Sequence, residues 1–224
     1  MEWLLATLQI ALGAGLATTF DDNIYLTAFF GKVNRSFLPR HVVIGELIGF
    51  SILLSISLIG IWIGLALPQQ TIGLLGILPI LIGLRALLDQ RLGDTPNDQL
   101  ISAQKYANLT GFESRKLSLI AVLADKQTYR VSMVAISNGS NNLSIYIPLF
   151  ASLPVAKTLV TIPVLYGFIL TWLFLSYHLT RAPGIALLMN RYAPRLFPYI
   201  LIWLGFRIMI DSGTLRGVMQ QLNL

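Results

Sequence analysis

The chain has 224 residues, of which 55% are hydrophobic and only 12% are charged. A soluble domain carries about twice that charged fraction, so the composition excludes an ordinary water-soluble protein and indicates an integral membrane protein. Cysteine is absent, which excludes disulfides and thiolate metal sites. The formal net charge of +6 is no sign of a nucleic-acid partner, because in a membrane protein the position of the charges matters more than their sum.

Six apolar runs are long enough to cross a bilayer, which takes about 20 apolar residues. They lie near 3–30, 41–67, 70–90, 128–152, 155–180 and 195–213. The first run would form a helix of about 42 Å, which is too long for one straight crossing. We therefore predict an all-α membrane protein with six transmembrane helices, of which helix 1 is broken near 18–23 and helix 4 near 138–140.

Lysine and arginine predict the orientation of these helices. Twelve basic residues fall in the first, third and fifth connections, whereas only Lys157 and Arg216 fall in connections on the opposite side. Because basic loops stay in the cytoplasm, the odd connections are predicted to be cytoplasmic and both termini to face outward.

An internal repeat divides the chain into two halves. The segment 82–89 parallels 204–211, and each copy carries an arginine and an aspartate four residues apart that can pair on one helix face. At nearly the same offset, 21–23 aligns with 140–142. We predict two three-helix repeats, 1–90 and 128–224, joined by a cytoplasmic loop, 91–127. An odd number of helices per repeat inverts the second copy, and such proteins place their substrate near mid-membrane, where broken helices meet.

Asp21, Asp22 and Asn23 lie inside the first apolar run. An ionised carboxylate in hydrocarbon costs at least a few kcal/mol, so an adjacent pair suggests a bound cation. Carboxylate and amide oxygens suit a divalent ion. The alternative is that an aspartate caps a short helix over 23–30, and both interpretations can hold together.

The fourth run contains a similar polar stretch, with the amides Asn138, Asn141 and Asn142 around a glycine. Its alignment with the aspartate pair favours a second contribution to the same cation site. The alternative is a polar contact between helices, which asparagine, serine and glycine commonly make in membranes.

Glu46 is a further acidic residue in an apolar run, which makes it a functional candidate. Two interpretations stay open: Glu46 belongs to the cation site, or its carboxylate reaches the cytoplasmic interface or pairs with Arg40. Gly45 and Gly49 on the same helix are spaced for close packing against another helix.

The sequence resembles the cadmium-resistance transporter family of the lysine-exporter superfamily. The matching stretches are Thr18-Thr-Phe-Asp-Asp, Gly45-Glu-Leu-Ile-Gly-Phe, 72–83, 138–152 and Asp211-Ser-Gly-Thr. The resemblance implies six spans, inverted repeats and export of divalent metal ions such as cadmium across a bacterial inner membrane. This chain departs from the family pattern at three places: Ser140-Asn141-Asn142 replaces Gly-Asp-Asn, Thr19 replaces asparagine, and Glu46 replaces glutamine.

These observations predict a secondary transporter, not an enzyme, that exports a divalent cation in exchange for protons. The metal-site candidates are Asp21, Asp22, Asn23, Glu46, Asn138, Asn141 and Asn142. The lipid bilayer and the transported cation are the expected partners; no resident cofactor and no nucleic acid is expected, and a homo-oligomer is compatible with the sequence. The alternatives are an exporter of a small amino acid or organic cation, and a transport-inactive membrane scaffold.

Overall fold

The computed structural model describes residues 2–19, 22–34, 37–92, 122–180 and 183–214. Within these ranges every element is helical. The α-helices are α1 (Glu2–Thr19), α2 (Asp22–Gly31), α3 (Pro39–Ser57), α4 (Ile59–Ala66), α5 (Gln69–Ile72), α6 (Ile77–Leu92), α7 (Lys126–Gly139), α8 (Leu143–Ser152), α9 (Val155–Leu179) and α10 (Pro183–Asp211). Two 3₁₀ turns, Gly73–Gly76 and Ser140–Asn142, join α5 to α6 and α7 to α8.

Both predicted helix interruptions are present. The first apolar run is divided between α1, which ends at Thr19, and α2, which begins at Asp22. The fourth run is interrupted by the 3₁₀ turn Ser140–Asn142, slightly later than predicted. The second and third runs are also divided, at Leu58 and at the turn Gly73–Gly76, which the apolar composition of those runs did not predict.

The predicted start of the sixth helix is wrong. α10 begins at Pro183, twelve residues before position 195. Proline is favoured in the first turn of a helix, where its missing N–H would have no intrahelical partner. Much of the predicted fifth connection is therefore helical, and Arg191 and Arg195 lie within α10.

Three helical stretches among the described residues are long and apolar enough to cross a membrane: Pro39–Ala66, Gly73–Gln90 and Val155–Leu179. Trp3–Thr19 is apolar but shorter. Crossing by all six runs stays a prediction.

The helices pack in a pattern that relates the two halves of the chain. α3 and α4 pack along α7 and α8, α9 packs along α1 and α2, and α6 packs along α10. The second run thus packs on the fourth, the first on the fifth, and the third on the sixth. If each run is exchanged with the run at the same position in the other half, the same pairs of runs are in contact. An inverted repeat requires this property, although the inverted repeat itself stays a prediction.

Close contact between α3 and α7 depends on two glycines. A Cβ atom at Gly49 would lie 2.6 Å from the Cβ of Ala135, and one at Gly45 would lie 2.7 Å from the Thr128 carbonyl oxygen. Ser132 Oγ on α7 donates to the Gly45 carbonyl at 2.9 Å. The predicted packing role of Gly45 and Gly49 is therefore confirmed.

The two repeated Arg–Asp pairs also form. Arg85 Nε lies 3.9 Å from Asp89 Oδ2, and Arg207 Nη2 lies 3.6 Å from Asp211 Oδ2. The Arg85 side chain is largely exposed, whereas both members of the second pair are about 30% exposed. Pairs with this much exposure contribute little to stability, so both are local features of their helices.

Candidate cation site

Asp22 lies where α2 begins, directly after the interruption of the first helix, and is only 4% exposed. The first N–H groups of a helix lack intrahelical partners and carry the positive end of its dipole, so this position stabilises a carboxylate. Asp22 therefore has the position that both interpretations require: it can cap α2, and it can contribute to a cation site. Asp21 and the side chain of Asn23 lie outside the described residues.

Tyr25 and Glu46 form the next part of the site. Tyr25 lies one turn after Asp22 on α2 and is fully buried. Its hydroxyl donates to Glu46 Oε2 at 2.7 Å and also interacts electrostatically with Asp22. The Tyr25 hydroxyl therefore bonds to one buried acidic side chain and interacts with a second, and the two acids come from different helices.

Glu46 does not reach the surface. It is 2% exposed on α3, and among the described residues it forms no ion pair with Arg40. The interfacial reading of this residue is wrong, because its side chain is buried and accepts a hydrogen bond from Tyr25 on α2.

The end of α1 is held by residues from the second half of the chain. Thr18 is in the last turn of α1, where backbone carbonyls lack intrahelical partners. Its carbonyl accepts a hydrogen bond from Asn142 Nδ2 at 3.0 Å. Its hydroxyl forms a short hydrogen bond with the hydroxyl of Tyr146, which is fully buried on α8. The two helix interruptions are thus in direct contact.

Tyr146 also links this contact to the acidic residues, because its hydroxyl interacts electrostatically with Asp22. The result is a cluster of buried polar groups: the Asp22 carboxylate and two hydrogen-bonded pairs, Tyr25 with Glu46 and Thr18 with Tyr146. Apolar side chains of the core surround it, and Phe50 packs edge-on against Tyr146 with ring centroids 6.4 Å apart. Electrostatic interactions are stronger in such surroundings than in water.

The three amides of the fourth run have different environments. Asn142 contacts the end of α1, Asn138 is half-buried with no hydrogen-bond partner for Nδ2 in the described part of the chain, and Asn141 is exposed. Of the three, the structure brings Asn142 directly to the interruption of the first helix.

The donor chemistry at the interruption is oxygen only. Among the described residues no three His, Cys, Asp or Glu side chains form a metal-binding group. Both histidines lie elsewhere. His41 Nδ1 accepts a hydrogen bond from the Leu38 amide at 2.8 Å. His178 is exposed, and its Nδ1 lies 2.9 Å from the Phe174 carbonyl oxygen. A cation held here would be bound by carboxylate, hydroxyl and amide oxygens, which are ligands of hard divalent ions.

Tyr25, Tyr146 and Thr18 were not among the site residues predicted from the sequence. A signal for the two tyrosines was present, since each follows a polar residue of its helix interruption by one turn: Tyr25 follows Asp22, and Tyr146 follows Asn142. Buried tyrosine hydroxyls generally have hydrogen-bond partners, so tyrosines in these positions are candidates for site residues.

Apolar helices of membrane-spanning length, in a fold that buries the acidic side chains of Asp22 and Glu46, define an integral membrane protein. The sequence model of the family described as cadmium resistance transporter matches residues 15–221, nearly the whole chain. The chain therefore belongs to the cadmium resistance transporter family. This membership indicates a transporter of metal cations and not an enzyme. Among curated proteins and among solved structures, no match to the chain was found.

Proposed function

We propose that the protein is a secondary transporter that exports a divalent metal cation from the cytoplasm through the site at the interruption of its first helix. The observation that carries the proposal is the burial of two acidic side chains, Asp22 and Glu46, that both interact with the Tyr25 hydroxyl. Carboxylates inside a membrane are costly and rare, and where they occur they mark pathways for ions or protons. Two acids beside one hydroxyl offer a cation several oxygen ligands at once.

The ligand set that we propose begins with the carboxylates of Asp22 and Glu46 and includes Asp21, which precedes α2. Asn23, Asn138, Asn141 and Asn142 would supply neutral oxygens. Because Asn142 uses its amide nitrogen for the Thr18 carbonyl, only its oxygen could contribute to a cation. The structure therefore supports a larger contribution of cation ligands from the first half of the chain than the sequence repeat alone suggested.

Alternating access through two inverted three-helix repeats would explain transport by such a site. Two observations support this arrangement. The helix pairings stay the same when the two halves of the chain are exchanged. Thr18 in the first half also contacts Asn142 and Tyr146 in the second half. The sequence contains no nucleotide-binding motif, and we propose that exchange for protons provides the energy.

A metal-content screen tests this function in cells. Cells that express the protein should retain less of one divalent cation than cells that lack it, when both grow in medium supplemented with that ion. Unchanged content of every divalent cation, together with a lower content of an amino acid, would instead support the organic-substrate alternative.

A further inference from the structure

We propose that Tyr25 is a positioning residue of the cation site: its hydroxyl holds the Glu46 carboxylate beside Asp22, so that both acids act on one cation. This inference rests on the proposed function. It begins from the hydrogen bond of 2.7 Å between the Tyr25 hydroxyl and Glu46 Oε2, and from the interaction of the same hydroxyl with Asp22.

Tyr25 is rigidly held, whereas Glu46 would be mobile without it. The Tyr25 ring is fully buried on α2 and packs edge-on against Phe29, with ring centroids 6.4 Å apart. A tyrosine side chain has only two main torsions, so its packed ring fixes the position of its hydroxyl. A glutamate side chain has more torsional freedom, so ordering it has a larger entropic cost. Because the phenol fixes one carboxylate oxygen, less of that cost falls on cation binding.

The position of Tyr25 also distinguishes it from the other buried hydroxyls. Tyr146 bonds to Thr18, and Tyr166 bonds to Ser51 Oγ at 2.7 Å. The Tyr25 hydroxyl, by contrast, bonds to an acidic side chain on another helix. The bond joins α2 to α3. Because Asp22 is also on α2, the bond fixes the distance between the Glu46 carboxylate and the helix that carries Asp22.

The test measures transport against cation concentration in proteoliposomes for wild type, Tyr25→Phe, Glu46→Gln and the double variant. Tyr25→Phe keeps the ring and removes the hydroxyl. It should raise the half-saturating concentration about tenfold, as expected for the loss of one hydrogen bond to a charged group, and change the maximal rate by less than about twofold. In the Glu46→Gln background, Tyr25→Phe should have a smaller effect than in the wild type, because the hydroxyl then donates to a neutral amide oxygen instead of a charged carboxylate.

Tyr166→Phe is the matched control, since it removes a hydrogen-bonded phenol hydroxyl outside the site. It should leave the half-saturating concentration unchanged. If Tyr25→Phe does not accumulate in the membrane, Glu46→Asp replaces it. That variant withdraws the carboxylate by about 1.5 Å from an intact Tyr25 and should give the same tenfold effect.

Wild-type half-saturation in Tyr25→Phe or in Glu46→Asp would overturn the inference. So would an equal effect of Tyr25→Phe with and without the Glu46 carboxylate, since Tyr25 would then act independently. Neither of these results concerns transport by the wild type, so neither would refute the proposed function. Absence of cation transport by the wild type would refute the proposed function itself, and this inference with it.

Discussion

Replacing Gly49 with alanine tests the contact between α3 and α7, the helix that carries Glu46 and the helix that leads to the second interruption. The added Cβ would lie 2.6 Å from Ala135 Cβ and 2.9 Å from the Ser132 carbonyl oxygen. Carbon atoms in contact are about 3.5–4.0 Å apart, so the two helices would have to separate by about 1 Å. Overpacking of this kind costs about 1–3 kcal/mol. Separation would also stretch the hydrogen bond from Ser132 Oγ to the Gly45 carbonyl.

Gly167→Ala is the matched control, because a Cβ at Gly167 on α9 meets no atom within 4 Å. Both substitutions gain the same helix propensity, about 1 kcal/mol, so the difference between them isolates the packing cost. The assay is thermal unfolding in detergent, followed by circular dichroism. For a chain of this size the Gly49 variant should melt about 2–12 °C below the Gly167 variant. Equal melting temperatures would refute the close packing of α3 on α7.

Two further pairs of variants test local contacts by the same unfolding assay. Asn142→Ala removes the donor to the buried Thr18 carbonyl and should destabilise the protein by about 1–3 kcal/mol, whereas Asn141→Ala, at an exposed position, should stay within about 0.5 kcal/mol. The contact between the two interruptions would be contradicted if the variants behaved alike. Asp125 caps α7 by accepting from the Gln127 amide at 2.8 Å, so Asp125→Ala should cost about 1 kcal/mol. Asparagine caps helices equally well, and a similar loss in Asp125→Asn would argue against the capping role.

Asp22 and the helix interruption before it could be predicted from the sequence because adjacent acids in an apolar run are a strong local signal. The environment of Glu46 could not be predicted from the sequence, since the burial of its side chain depends on which helices pack against α3. Tyr25 and Tyr146 escaped prediction for a related reason. In an apolar run they look like ordinary packing residues, and their hydroxyl partners are 21 and 128 residues away along the chain.

The repeat aligned Asn141 with Asp22, yet Asp22 is buried and Asn141 is exposed. The 3₁₀ turn Ser140–Asn142 supplies a physical reason. Each 3₁₀ residue turns the chain by about 120°, compared with about 100° in an α-helix, so three such residues rotate the following side chains by about 60° relative to an unbroken helix. Sequence spacing alone therefore could not predict which amide faces the interruption of the first helix.

The central claim is that Asp22 binds the transported cation, and transport in metal-loaded membrane vesicles tests it most directly. Vesicles with wild-type protein should move a divalent cation in the export direction, and Asp22→Asn should abolish that movement, because it removes the buried charge while keeping nearly the same shape. The matched control is Asp89→Asn, the same substitution at a partly exposed acidic side chain outside the proposed site. It should transport at the wild-type rate, and both variants should be present in the membrane at the wild-type level. Full transport by the Asp22→Asn protein would contradict the account.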